Sequence, residues 1–184
     1  MADLITAPGF LTYRSNAKAL FMAGGISGCP PWQEALWEML KDLPDLVVLN
    51  PRRETYDDKE WNFASDPRRA LAESQISWEW QALRKCCEPG NAVSFWFCQD
   101  SLQPIVMLEF GRCTASINPV VELRHDNAVT VCTRPPKVFV GIDKDYERRM
   151  DVEIQLALQC PGVPVVHELG LLAADIRTWA KKGK

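Results

Sequence analysis

Apolar residues in this chain fall into two alternating patterns. Residues 18–23, 46–49, 92–98, Lys137–Ile142 and 163–166 are near-continuous apolar runs bounded by Gly, Pro, Asn or Asp. Such runs mark strands buried on both faces. Between them apolar residues recur every three or four positions, which predicts helices over 32–41, 71–87, 104–116, 146–159 and 171–181. Pro30-Pro31 opens the first helix, whose expected inner face is Trp32, Ala35, Leu36 and Met39. Strands alternating with helices through short connections imply right-handed crossovers and a parallel sheet covered on both sides. Ligands of such sheets bind beyond the carboxyl ends of the strands.

The remaining segments break this rhythm. Residues 1–17 read as a loosely docked N-terminal extension, with 18–184 as the domain. The polar stretch 52–69 is a long loop of the kind that usually carries function. Residues 117–136 are irregular, with one expected strand at 128–132.

Composition narrows the function classes. A length of 184 residues with 47% hydrophobic and 24% charged positions fits one soluble domain. A net charge of −3 gives no basic footprint for nucleic acid and no polybasic membrane patch. There is no apolar run long enough to span a bilayer, and no secretory signal at the N-terminus, so a cytoplasmic location is expected. The seven cysteines are odd in number and several sit in apolar runs, which suits reduced, buried thiols. His125, His167 and the cysteines lack metal-ligand spacing, so neither a metal nor another cofactor is expected. Seven tryptophans are many for this length and point to a subunit contact, hence a homodimer or higher homo-oligomer.

Two glutamates stand where core packing would not place them. On a helix, Glu79 shares a face with Ile76 and Leu83; Glu109 lies within Pro104-Ile105-Val106-Met107-Leu108-Glu109-Phe110-Gly111. Desolvating an unpaired carboxylate costs several kcal/mol, so two inward carboxylates flanking one buried strand mark a site. The bland reading of Glu79 is a buried ion pair with Arg84 or Arg112. The functional reading is chemistry at a glycosidic carbon. One carboxylate attacks or shields an oxocarbenium-like centre, and a second, with a raised pKa, protonates or anchors the leaving base. The loop Gly24-Gly25-Ile26-Ser27-Gly28 follows a strand and can hold an anion or a sugar hydroxyl, or be only a tight turn. Arg52 and Arg53 follow the next strand, and one of them suits a 5′-phosphate. Trp61, Phe63, Trp78 and Trp80 can stack on a base or pack as core and interface.

These residues, taken in order, resemble the nucleoside 2-deoxyribosyltransferase-like family. The resemblance is carried by Leu20-Phe21-Met22-Ala23-Gly24-Gly25-Ile26 with Trp32-Gln33, then Asn50-Pro51-Arg52-Arg53 and Gln75-Ile76-Ser77-Trp78-Glu79. Val93-Ser94-Phe95-Trp96-Phe97, the Glu109 segment and Asp151-Val152-Glu153-Ile154 continue it, over about residues 18–166. It implies a flavodoxin-like (Rossmann-like) three-layer α/β sandwich with a mainly parallel five-stranded sheet that binds a small-molecule nucleoside or nucleotide. Glu109 would be the nucleophile that takes the (deoxy)ribosyl group, Glu79 the acid facing the base, and Asp100 a further acid before the nucleophile helix. Gly24, Gly25, Ile26, Arg52, Arg53 and Trp61 are the expected substrate-binding residues. Phe110 departs from the leucine common in the family, and Asp151 from its asparagine. The leading expectation is an enzyme cleaving or transferring an N-glycosidic bond. The rivals are a non-catalytic nucleotide-binding or sensor domain and a structural interaction module.

Overall fold

The computed structural model describes residues 1–53, 69–115 and 137–182. Trp61, Phe63, His125, Cys132, most of the 52–69 loop and the strand expected at 128–132 lie outside them. Among the described residues, five of the strands follow the apolar runs: β2 (Lys18–Gly24), β3 (Leu46–Asn50), β4 (Ala92–Phe97), β5 (Lys137–Ile142) and the short β6 (Val165–Val166). Among the described residues the sheet has six strands rather than five, because β1 (Asp3–Thr6) pairs with β3, Asp3 opposite Val47 through Thr6 opposite Asn50. Residues 3–6, read from sequence as part of a loose extension, are therefore held by an edge ladder. The helices are α1 (Trp32–Leu40), α2 (Arg69–Cys86), α3 (Pro104–Ala115), α4 (Arg149–Gln159) and α5 (Leu169–Lys181).

All pairings are parallel, in the order β1-β3-β2-β4-β5-β6. Alternation along each strand splits the core into two layers. Ala19, Phe21 and Ala23 of β2 face α2, α3 and α4 through Trp78, Ala82, Phe110 and Val152. Leu20 and Met22 of the same strand face α1 and α5 through Trp32, Leu36, Leu172 and Ile176. The arrangement is the flavodoxin-like sandwich. One phase differs from expectation: α1 buries Trp32, Gln33, Leu36 and Leu40, while Ala35 and Met39 are exposed. Gln33 takes an inner position because its side chain has polar partners there, described below.

The order reverses between β2 and β4, since α1 leads to β3 on one side of β2 and α2 carries the chain back to β4 on the other. The helices diverge at that switch point and leave a crevice beyond the strand ends. Gly24 and Trp96, opposite one another in register, stand at its base.

Candidate active site

The crevice opens into a cavity of about 480 Å³ walled by the loop after β2, the end of β3, one face of α2 and the start of α3. The loop can lie close to the sheet only because its first residues lack side chains. A Cβ on Gly24 would stand 2.4 Å from the Trp32 ring, and one on Gly25 2.2 Å from Cys29 Sγ and 2.8 Å from the Gln103 side chain. Trp32 Nε1 donates to Gly25 O at 2.9 Å, and Gln33 Nε2 to the same oxygen at 3.4 Å. Arg52 completes the frame. Its Nε donates to Gln33 Oε1 at 2.8 Å, and its Nη2 reaches the carbonyls of Ile26, Cys29 and Pro30 at 3.0, 3.0 and 3.1 Å. Arg52 thus shapes the loop, whereas Arg53 is on the cavity wall.

Cys29 and Cys98 form a disulfide, against the expectation that the cysteines are reduced. The two positions are 69 residues apart in sequence, but β2 and β4 are neighbours, so the segments after them converge with Cα atoms 6.4 Å apart. Cys86, Cys87, Cys113 and Cys160 are not in disulfides. Gln103 secures the other side of this edge. Its Nε2 donates to Cys98 O at 2.7 Å and Ser101 O at 3.1 Å, and its backbone adopts φ 53°, a left-handed conformation uncommon outside glycine.

Each glutamate is aimed by a buried aromatic neighbour in sequence. Trp78 packs against Phe21 with ring centroids 6.4 Å apart and donates from Nε1 to Gly9 O at 2.6 Å, which fixes the roll of α2. Phe110 stands edge-on to Phe95 and Phe97 at 5.2 and 5.6 Å, which fixes α3. Glu79 and Glu109 consequently sit at the edges of the buried stripes of their helices, half-buried, and both line the cavity. Ile76, Trp80 and Leu83 accompany Glu79 on its wall; Ile105, Leu108 and Arg112 accompany Glu109.

The surroundings divide the two carboxyls. Burial pushes the pKa of Glu109 up to about 8, the negative charge of Glu79 adds to the rise, and Arg112 opposes it. Burial also raises Glu79, but a hydrogen bond from Gln75 and the charge of Arg53 hold its rise back. Gln75 Nε2 donates to Glu79 Oε1 at 2.6 Å and to Pro51 O at 2.8 Å. Glu79 therefore gives up its proton first, and between the two titrations the pair holds a single proton.

Other expected residues fall as follows. Gly24, Gly25 and Ile26 line the cavity. Asp100 is exposed in the turn after β4 and is not among the lining residues; Ser101 and Gln103 are. Trp61 lies outside the described residues. Arg84 stacks over the exposed ring of Trp80 at 5.4 Å, so it is not the ion-pair partner that the bland reading gave Glu79. Gln75 and Gln103 were assigned no site role in the sequence reading, although Gln75 opens one of the segments that carry the resemblance; the signal for Gln103 was its position directly before Pro104. Among the described residues, no group of three or more His, Cys, Asp or Glu side chains is placed to hold a metal. Nor is any described helix long and apolar enough to cross a membrane.

A family model described as "nucleoside 2-deoxyribosyltransferase like" matches residues 17–127, a span that includes the glycine loop, Glu79 and Glu109. No curated protein matches the chain. With more than half its length matched, the chain belongs to the nucleoside 2-deoxyribosyltransferase-like family.

Proposed function

We propose that this member of the family cleaves or transfers the N-glycosidic bond of (deoxy)nucleosides or nucleoside 5′-monophosphates, with Glu109 as the nucleophile. The observation that carries the reading is the pair itself: two half-buried carboxyls from different helices that line one cavity, near enough that the charge of Glu79 raises the pKa of Glu109. Glycosyl transfer to a carboxylate needs the single proton that the pair holds between its two titrations. An oxygen of Glu109 bonds to the anomeric carbon as the C–N bond breaks, and the bonding electrons leave with the base. The base nitrogen takes up the proton that the pair held. In the empty site that proton rests on Glu109, so for attack it passes to the ionised Glu79, which delivers it to the base nitrogen; a doubly protonated pair has no carboxylate to receive it, and a doubly ionised pair has no acid. The glycosyl ester then passes to water in a hydrolase or to a second base in a transferase.

The apolar walls supplied by Ile76, Leu83, Ile105 and Leu108 favour a neutral leaving base and keep bulk water from the ester. The glycine loop offers backbone N–H groups at the sugar end, held in place by Arg52. With Arg52 committed to loop carbonyls, Arg53 is the member of the pair on the wall for a 5′-phosphate. The test is incubation with a panel of nucleosides and 5′-monophosphates, with base release followed by chromatography and a glycosyl adduct on Glu109 sought by mass spectrometry. Release from at least one member, abolished in Glu109→Gln, is expected. Wild-type rates in that variant, or no release across the panel, would refute it.

A further inference from the structure

We infer that Cys87 and Cys113 form an oxidisable thiol pair, a modification site at which a small-molecule disulfide installs a link between the segments of the two helices that carry Glu79 and Glu109. The inference is independent of the reaction in the cavity. The Sγ atoms of Cys87 and Cys113 lie 3.1 Å apart, a contact in which either sulfur can donate. That is about 1 Å longer than a disulfide bond. The two residues are 26 positions apart in sequence, and the fold brings them together. Helix α2 returns from the sheet edge at which the cavity opens and ends at Cys86, before β4 begins. Helix α3 leaves the carboxyl end of β4 and returns in the same direction to Ala115. Both helices therefore finish toward the amino edge of the parallel sheet, where Cys87 directly follows α2 and Cys113 lies in the last turn of α3. Neither lines the cavity.

The surroundings of the two thiols set their order of reaction. Cys87 is half-buried, whereas Cys113 is fully buried. A dissolved disulfide therefore meets Cys87 first. Cys86, next to it in sequence, is fully buried, and burial pushes its thiol up, so it is not a competing point of entry. The hydrogen bond to Cys87, burial and the negative charges of Cys87 and Glu109 all push the Cys113 thiol up, so Cys113 keeps its proton while Cys87 reacts. The Cys87 thiolate attacks one sulfur of the small disulfide; the S–S bond breaks, and one small thiolate leaves with the electron pair and takes up a proton. Cys87 now carries the other half as a mixed disulfide, and its negative charge no longer opposes ionisation of Cys113. Cys113 attacks Cys87 Sγ, and its proton passes to the second departing thiolate. Two protein thiols are oxidised to one disulfide as the small disulfide is reduced to two thiols. Glu109 lies about one turn before Cys113, and Glu79 about two turns before Cys87. The link therefore fixes α2 against α3 below both carboxyls.

The experiment incubates the full folded chain with oxidised glutathione, quenches it by alkylation in denaturant, and digests it without reduction for peptide mass mapping. A linked peptide joining Cys87 to Cys113 is expected, and dithiothreitol is expected to dissolve it. In Cys113→Ala the reaction is expected to stop with glutathione on Cys87; in Cys87→Ser, Cys113 is expected to stay unmodified. The linked protein is expected to melt about 5–10 °C higher than before oxidation, since closing a loop of this length restricts the unfolded chain. Cys87→Ser treated in parallel is expected to show no such rise, which separates the link from any change at Cys29–Cys98. If Cys113→Ala does not fold, the wild-type map and Cys87→Ser decide the matter. Cys87 and Cys113 both alkylated after oxidation, glutathione persisting on Cys87 of the wild type, a link from Cys87 to another cysteine, or an unchanged melting temperature in the linked protein overturns the inference. These readouts hold whether or not the protein releases a base, so failure here and failure of the glycosidase reading are distinguishable.

Discussion

Replacing Glu109 by glutamine keeps the shape of the side chain and removes its titration, and the consequence for stability can be worked from the site. The carboxyl is moved from an ordinary 4.5 to about 8 by burial and by the charge of Glu79. Folded protein thus keeps a proton over a range in which the unfolded chain has lost it. The contribution is full below the unfolded value near 4.5, declines as pH rises, and is gone once pH passes about 8. Over the whole interval the loss is at most roughly 5 kcal/mol, or about 1.4 kcal/mol per pH unit. Partial exposure and water entering the cavity reduce it, so about 2–4 kcal/mol is the working expectation. Glu109→Gln removes this slope. At pH 9 the variant is expected to be more stable than the wild type by that amount, and near pH 5 the two are expected to be about equal. Urea denaturation followed by tryptophan fluorescence from pH 5 to 9 at fixed ionic strength measures the difference, and titrations common to both proteins largely cancel. Parallel stability curves would show that Glu109 is not held protonated. The same variant is expected to bind nucleoside within about tenfold of wild type while base release falls at least about a hundredfold, roughly 2.7 kcal/mol in barrier. A protein made sturdier and inactive by one change is the pattern of an active-site residue kept at the expense of stability.

Two further outcomes follow from the same geometry. The kcat/KM profile for base release is expected to be bell-shaped, falling on the alkaline side near the value of about 8 at which the pair loses its last proton, and on the acid side as Glu79 becomes protonated; activity that climbs steadily to pH 10 would exclude a shared-proton mechanism. Arg52→Ala removes the donors to Gln33 and to three loop carbonyls, so a stability loss of about 2–3 kcal/mol and a weaker nucleoside affinity are expected in denaturation and titration experiments, with Arg52→Lys failing to restore them because an ammonium cannot reproduce the fork. Unchanged stability in Arg52→Ala would show that the loop holds itself.

The interior strands were legible because a strand buried on both faces has nowhere to put a polar residue. Phe21 and Val48 therefore sit in unbroken apolar runs, and that of Phe95 is broken only by Ser94, whose hydroxyl is satisfied by donating to Phe21 O. The edge strand β1 was not, since Asp-Leu-Ile-Thr is short and half open to solvent, and its ladder depends on a partner more than forty positions away. The phase of α1 was misread for a different reason. Gln33 is buried by its bonds to Gly25 O and Arg52, and a polar residue in the inner stripe displaces the apolar count by one position. The disulfide was invisible for the same kind of reason as β1: Cys29 and Cys98 become neighbours only through the strand order.

In the site, what could be read was the anomaly and what could not was the division of labour. A glutamate among apolar residues is conspicuous, so Glu79 and Glu109 stood out. Their difference comes from partners that no spacing rule ranks. Gln75 is anchored by a carbonyl of β3's exit, Pro51 O, and only then can it hold Glu79 toward its charged form. Arg52 and Arg53 are consecutive, so they leave the strand end in opposite directions, one to the loop carbonyls and one to the cavity wall. Two residues of the same type thus become a structural brace and a charge facing Glu79. The two glutamates separate in the same way: one given a hydrogen bond and a cation ionises first, and the other, given a hydrophobic wall and its neighbour's charge, keeps the proton. Exchanging those surroundings, rather than the glutamates, is what would exchange their roles.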